Sequence, residues 1–267
     1  MVSVLRKTLL ALALLAISLP VAIGQSRSIK TGSPDKKTVA GSPFSVGERL
    51  TYDVSWADFI VAGELTLETR ERRAFDGVDG YHISAEAQSV GLVSAVVYKV
   101  KDIYESFIDA QTLQPFRAQK RSRRGNKRRE ASFTIDQKNH TVRFADGRTM
   151  EVPADTYDLV GLLYAIRAMD LTPGKSRDFT LIEDNKLYPI KVEVGKSEKV
   201  TTRAGKYDAV KVTTKLTGGR ETQNLYDLSI YITSDARRLP VLITAKPTWG
   251  DVRVELTSAT ATGAKPK

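Results

Sequence analysis

The sequence predicts a mainly β protein in which one curved antiparallel sheet, a half-barrel or open barrel, wraps around a single α-helix. Apolar and polar residues alternate through most of the chain from residue 44 onward, which is typical of half-buried strands. Only residues 155–171 keep a helical period, with Leu159, Leu162, Leu163 and Ile166 at steps of three and four. A chain of 267 residues, 41% of them hydrophobic, is long enough to bury the core of such a sheet.

Residues 1–24 have the pattern of a secretory signal peptide. A positively charged start precedes an apolar run over 8–19, which is too short to span a membrane comfortably. Ala22 and Gly24 supply the small residues that a signal peptidase reads. We therefore expect cleavage before Gln25 and export to the periplasm or the extracellular space. An uncleaved anchor is the alternative.

The rest of the chain divides by composition into a linker, a folded domain and a tail. Residues 25–43 are rich in Ser, Gly, Lys and Pro and hold almost no apolar residue, so they predict a flexible linker. We expect residues 44–262 to form a single β-rich domain and residues 263–267 to form a disordered tail.

Strands are predicted on both sides of the helix, with turns at sites rich in Gly, Asn, Asp or Pro. Asp76-Gly77, Asp79-Gly80 and Gly205-Lys206 are among the predicted turns, and residues 91–100 fit either a loop with a helical turn or a buried strand. The other predicted strands and hairpin arms lie at 44–56, 59–70, 81–89, 102–108, 116–130, 131–135, 141–144, 177–183, 186–199, 200–203, 207–216, 224–233, 241–247 and 251–257.

The predicted helix has recognisable ends. Asp155 or Thr156 can accept hydrogen bonds from the first free amides, and Asp158 places negative charge near the positive end of the helix dipole. Pro173, which is followed by glycine, should end the helix. We expect Arg167 to point away from the apolar stripe.

The sequence holds no recognisable catalytic or metal-binding motif. It has no cysteine, which excludes disulfides, thiolate metal sites and a cysteine nucleophile. His82 and His140 lie in different segments, so neither a metal nor a cofactor is expected. Glu105 and Asp109 could act as acid and base from one side of a strand, but exposed strand charge is the simpler interpretation. We expect a non-catalytic protein, with an unrecognised hydrolase as an alternative.

A curved sheet closed by one helix predicts a concave apolar space that could take a lipid or an acyl chain. A filled core is the alternative, and so is a structural or protein-interaction module of the cell envelope. The predicted lining residues are Tyr52, Val54, Trp56, Leu65, Leu67, Tyr104, Ile108, Leu163, Ile166 and Tyr231.

The formal net charge of +10 and a basic hairpin at 116–130, whose turn is predicted at Gly125-Asn126, favour an acidic partner. We expect an anionic membrane surface or envelope polymer, whereas nucleic acid is disfavoured by export and by the scarcity of aromatic residues for base stacking. A solvated hairpin is the alternative. The residues predicted to bind the anionic surface are Lys120, Arg121, Arg123, Arg124, Lys127, Arg128 and Arg129.

Five blocks of sequence, in their order, resemble the DUF3108 family of exported bacterial proteins of unknown function. The blocks are FSVGERLTYDVSW with the following Ala62-Gly63, VKDIYESFID at 100–109, the helical block that runs from Asp158 to Pro173-Gly174, GKYDAVKV at 205–212, and residues 232–243. The resemblance covers about residues 44–260 and implies no activity. Its sheet around a helix is similar to the half-barrels of periplasmic lipoprotein carriers, which is an analogy of fold only.

Overall fold

The computed structural model describes residues 42–56, 60–91, 99–217, 228–246 and 251–260. The predicted signal peptide, nearly all of the predicted linker and the predicted tail lie outside these residues. So does the 92–98 part of the segment for which two structures were considered.

In the described residues, fifteen strands form one curved sheet that does not close, in the order β8-β7-β6-β5-β4-β3-β2-β1-β15-β14-β13-β12-β11-β10-β9. All neighbouring strands are antiparallel except β9, which pairs parallel with β10. The predicted fold class, a mainly β half-barrel around one helix, is confirmed for the described residues. The strands are β1 (Arg49–Trp56), β2 (Ile60–Phe75), β3 (Val78–Ser89), β4 (Val100–Asp109), β5 (Pro115–Arg124), β6 (Lys127–Asp136), β7 (Thr141–Phe144), β8 (Thr149–Glu151), β9 (Thr156–Tyr157), β10 (Ser176–Glu183), β11 (Lys186–Thr202), β12 (Gly205–Leu216), β13 (Leu228–Thr233), β14 (Pro240–Ala245) and β15 (Val252–Thr260).

The helix, α1, spans Leu159–Ala168 and is shorter than the sequence predicted. Asp158 caps it, because its Oδ1 accepts from the amides of Val160 and Gly161, both at 3.0 Å. The expected cap at Asp155 or Thr156 is wrong. Thr156 belongs to β9, whose backbone pairs with β10 instead of entering the helix. The helix also ends before Pro173. Among the described residues, no helix has the length and hydropathy needed to span a bilayer.

Arg167 is completely buried, so the expectation that it points away from the core is wrong. Its Nη1 and Nη2 donate to the two carboxylate oxygens of Glu48 at 2.7 and 3.0 Å. Its guanidinium also donates to the carbonyls of Arg237 and Arg238. Burial removes water from the guanidinium, and these acceptors take its place, together with the ring of Tyr164, whose centre lies 4.9 Å away.

Several strand boundaries also differ from the prediction. β11 runs without a break through residues 186–202, with a register shift against β12 between Val194 and Ser197. Asp79-Gly80 and Gly205-Lys206 lie in strands rather than turns. Gly80 is needed for close packing, because a Cβ there would lie 2.7 Å from the carbonyl oxygen of Ile108.

The curvature of the sheet brings β5, β6 and β7 to face β9 and β10 across the barrel, and we call this junction the seam. Gln137, after β6, donates to the carbonyls of Pro115 and Thr156 at 2.9 and 2.8 Å. Lys120 on β5 contacts Glu183 on β10. A small apolar cluster packs behind these contacts and consists of Ile135, Val142, Phe144, Val152 and Ile182. Side chains therefore hold the seam together where the backbone ladder is interrupted.

Candidate functional site

An apolar cavity of about 130 Å³ lies between α1 and the concave face of the sheet. Among the described residues, Thr214 is the one polar residue in its lining. The apolar residues that line it are Leu65, Leu67, Ala85, Leu159, Val160, Leu162, Leu163, Ile166, Leu181, Ile190, Leu228, Ile230, Ile243, Ala245, Val252 and Val254. A space of this size compares with cavities that hold a benzene-sized group. It can take the end of a hydrocarbon chain but not a whole lipid.

The predicted lining residues divide between this cavity and the packed core beside it. Four line the cavity: Leu65, Leu67, Leu163 and Ile166. The other six belong to the adjoining core cluster: Tyr52, Val54, Trp56, Tyr104, Ile108 and Tyr231. The cavity residues of β10 to β15 were missed, although their strands were recognised. Alternation identifies an inward face but cannot show which inward side chains leave a gap.

The cavity residues of β12 to β15 lie at one end of the barrel. The strand register pairs Thr214 with Leu228, Leu228 with Ala245, and Ala245 with Val252. These residues therefore lie side by side at the neighbouring ends of the four strands. The same pairings, continued through β1 to β5, place the turn between β5 and β6 at this end. We call it the hairpin end.

The predicted basic hairpin is present, with its turn at Gly125-Asn126, but its cations are not equivalent. Three of them have acidic partners: Lys120 contacts Glu183 and Asp184, Arg121 contacts Glu105, and Arg124 contacts Asp102. Four are exposed and have no carboxylate within ion-pair distance among the described residues, namely Arg123, Lys127, Arg128 and Arg129. These four, which we call the tip cations, form the part of the hairpin that is open to a partner.

A polar pocket of about 270 Å³ lies at the seam, beside the first turn of α1. Lys120 reaches into it from β5 and contacts both Glu183 and Asp184, the latter at 3.1 Å. Burial raises the pKa of Glu183 to about 7, against the lowering effect of Lys120. Burial also raises the pKa of Asp158, although Ser106 donates to its Oδ2 at 2.6 Å.

The carboxylates considered for acid–base chemistry do not form a catalytic pair. Glu105 accepts from Arg121 at 2.7 Å and lies 3.2 Å from Nε2 of His82. Asp109 accepts from the amides of Gln111 and Thr112 and so shapes the turn before β5. Within the described part of the chain, no group of three or more His, Asp or Glu side chains could hold a metal ion.

The DUF3108 family model, described as a protein of unknown function, matches residues 51–257. The chain therefore belongs to the DUF3108 family, and the predicted resemblance is confirmed. The family assignment carries no activity with it. No protein of curated function has a matching sequence.

Several solved structures are similar to this chain at low sequence identity. A β-barrel-like protein of the DUF1849 domain from Brucella abortus is 12% identical with a TM-score of 0.56, and the match covers 82% of this chain and 99% of that one. A candidate exported protein from Bacteroides fragilis has a TM-score of 0.34 at 16% identity, with coverage of 82% and 97%. A candidate lipoprotein from Parabacteroides distasonis has a TM-score of 0.35 at 12% identity, with coverage of 85% and 100%. Only the first likeness is high enough to support a common fold.

Proposed function

We propose that this protein is a non-catalytic, exported binding protein that holds the hydrocarbon end of an anionic amphiphile, such as an acyl chain with a charged headgroup. The observation that carries the proposal is the apolar cavity beneath α1, whose lining in the described part of the chain is hydrocarbon except for Thr214. Such a surface offers almost nothing to a polar substrate, whereas burying a chain end there is favourable in proportion to the area removed from water.

The tip cations support the choice of an anionic headgroup. They lie at the hairpin end, where the cavity residues of β12 to β15 are also found. Arg123 and Arg128 face each other across the β5–β6 ladder, so their charges lie close together, and no acid of the described residues compensates them. A phosphate or carboxylate on a chain that enters from this end would relieve that repulsion, and a surface of anionic lipid would do the same.

The first experiment measures binding of dodecyl phosphate below its micelle concentration to the purified protein by calorimetry. Ala85→Leu and Thr214→Leu each fill the cavity from a different strand and should abolish saturable binding. Ala74→Leu adds the same side chain at an exposed position on β2 and should bind like the unmodified protein. Undiminished binding by both cavity-filling variants would contradict the proposed site. Mass spectrometry of an organic extract of the purified protein should also recover a co-purifying amphiphile.

The second experiment tests the headgroup. The triple variant carries three charge reversals at the tip, Arg123→Glu, Arg128→Glu and Arg129→Glu. It should bind dodecyl phosphate and anionic vesicles about tenfold or more weakly than the unmodified protein. The matched control reverses three exposed lysines away from the tip, Lys138→Glu, Lys196→Glu and Lys206→Glu, with the same change in net charge. Equal weakening by the two triple variants would mean that net charge alone matters. The tip cations would then lose their assigned role.

A further inference from the structure

The seam pocket has chemistry that the apolar cavity does not use. Its volume of about 270 Å³ is close to the lower end of small-molecule sites. Tyr104 and Lys120 approach it from neighbouring strands, Glu183 and Asp184 lie across the seam, and aromatic walls come from Phe133 and Phe144. The pocket therefore combines charge, a hydroxyl group and aromatic surface in a space fit for a small polar molecule.

The charges in the pocket are unbalanced. One ammonium group, that of Lys120, serves the two carboxylates of Glu183 and Asp184. Glu130 also lines the pocket and has no cation within ion-pair distance among the residues that the structure describes. Glu130 is exposed and solvated, but the Glu183 side chain is largely buried. A buried carboxylate that shares its only cation either takes up a proton or attracts a second cation. The pKa of Glu183, raised by burial to about 7, agrees with this shortage of positive charge.

Tyr104 supplies a second, independent sign of a ligand. Its side chain lines the pocket and is only 5% exposed, yet its hydroxyl has no hydrogen-bond partner in the described part of the chain. A buried hydroxyl without a partner costs free energy, and native proteins rarely keep one without a reason. The phenol oxygen can accept a hydrogen bond from a donor that enters the pocket.

The aromatic walls favour a donor that is a cation with a short carbon chain. The rings of Phe133 and Phe144 meet edge to face at 6.1 Å, and the guanidinium of Arg148 already lies 5.6 Å from the centre of the Phe144 ring. Aromatic faces attract organic cations and also accept their methylene groups. An anion would instead meet the carboxylates of Glu183, Asp184 and Glu130.

We propose that the seam pocket binds a primary ammonium group, which Glu183, Asp184 and the Tyr104 hydroxyl hold while its carbon chain lies against Phe133 and Phe144. This site is separate from the apolar cavity and takes a ligand of opposite charge. Two classes of molecule carry such an ammonium group: a free amine, and a phospholipid with an ethanolamine headgroup.

The test uses n-butylammonium as the probe, in calorimetry with the full chain near pH 7. The unmodified protein should bind it saturably and should not bind the neutral analogue n-butanol. Tyr104→Phe and Glu183→Gln should each weaken binding by about tenfold or more, since each removes one hydrogen bond to a charged group. Glu193→Gln, at a partly exposed position on β11 that does not line the pocket, should leave it unchanged.

Proton linkage provides a readout that a merely structural role of Glu183 would not give. The charged groups around it are Lys120 on β5, the adjacent Asp184 and Asp158 at the start of α1, while Tyr104 stays protonated. At pH 7 binding should release about half a proton, seen as a dependence of the heat on buffer ionisation, and Glu183→Gln should abolish the release. Absence of saturable binding by well-folded protein overturns the proposal. So does binding by both Tyr104→Phe and Glu183→Gln that is as tight as that of the unmodified protein.

Two further arms separate the ligand sources and the two sites. Vesicles that contain phosphatidylethanolamine, compared with phosphatidylcholine at equal anionic content, should bind more tightly if the ammonium is a headgroup, and n-butylammonium should compete. Equal binding to both vesicles assigns the pocket to a free amine. Thr214→Leu, which fills the apolar cavity from β12, should leave n-butylammonium binding intact, so failure of one proposal does not decide the other.

Discussion

Two ion-pair networks of different kinds lie near the two ends of α1. Near its last turn, Arg167 is buried and matched by both oxygens of Glu48 and by two backbone carbonyls. Near its first turn, Lys120 is shared between Glu183 and Asp184, and burial raises the pKa of Glu183 to about 7. One network is complete and closed to water, whereas the other has an excess of carboxylate and borders a pocket.

This difference separates a structural anchor from a candidate binding site. A buried charge with all its partners in place fixes one geometry, and losing any partner leaves the rest uncompensated. The Arg167 network joins the segment before β1, the helix and the turn before β14. The Lys120 network leaves a shortage of positive charge that a proton or a ligand can relieve. The predictions below begin with the complete network.

Arg167→Met should produce the largest loss of stability, about 3–5 kcal/mol in the free energy of unfolding from urea denaturation. The substitution leaves the carboxylate of Glu48 buried and without its partner. The double variant Glu48→Leu, Arg167→Met should be more stable than the single one, because it removes the stranded charge. Arg237→Gln, at an exposed side chain, serves as control and should stay within about 0.5 kcal/mol of the parent. A single variant as stable as this control would show that the network does not anchor the helix.

The incomplete network should make stability depend on pH. Glu183 holds its proton more tightly when folded, with a pKa near 7 against an ordinary value of 4.5. Its stabilising effect is therefore complete below about pH 4.5 and disappears as the pH rises towards 7. The free energy of unfolding, measured relative to Glu183→Gln, should fall across this window by up to about 3 kcal/mol. A constant difference between the two proteins from pH 4.5 to 7 would contradict a raised pKa.

The contrast between the two networks was hidden in the sequence because each joins residues far apart in the chain. Glu48 and Arg167 are 119 positions apart, and Lys120 and Glu183 are 63 apart. Alternation within a strand predicts which face of the sheet a side chain lies on, but it does not predict which distant residue that side chain contacts. Arg167 was therefore assigned to the solvent, and Lys120 was grouped with the other cations of the hairpin.

Local features were predicted better than these long-range ones. The basic hairpin and its turn at Gly125-Asn126 follow from neighbouring residues, and the structure agrees. A signal for Lys120 was present, since it shares a strand face with Ala118, which is buried. The first residue of the helix could not be predicted from the sequence, because Asp155, Thr156 and Asp158 can all act as N-caps. The pairing of β9 with β10, which only the structure shows, places the cap at Asp158.

The smallest effect concerns that cap, and it tests whether the first turn of α1 needs a charge or only an acceptor. Asp158→Ala removes the acceptor for two amides and for the Ser106 hydroxyl, which destabilises the fold. It also removes a carboxylate whose pKa is raised by burial, and the loss of that unfavourable burial offsets part of the effect. The net loss should be about 1 kcal/mol in urea denaturation at pH 7. Asp158→Asn keeps the acceptor and gives up the charge, so it should lose less than Asp158→Ala. If the two variants lost equal stability, the charge of Asp158 would matter more than its capping bonds, and the first turn would resemble the Arg167 network rather than the pocket beside it.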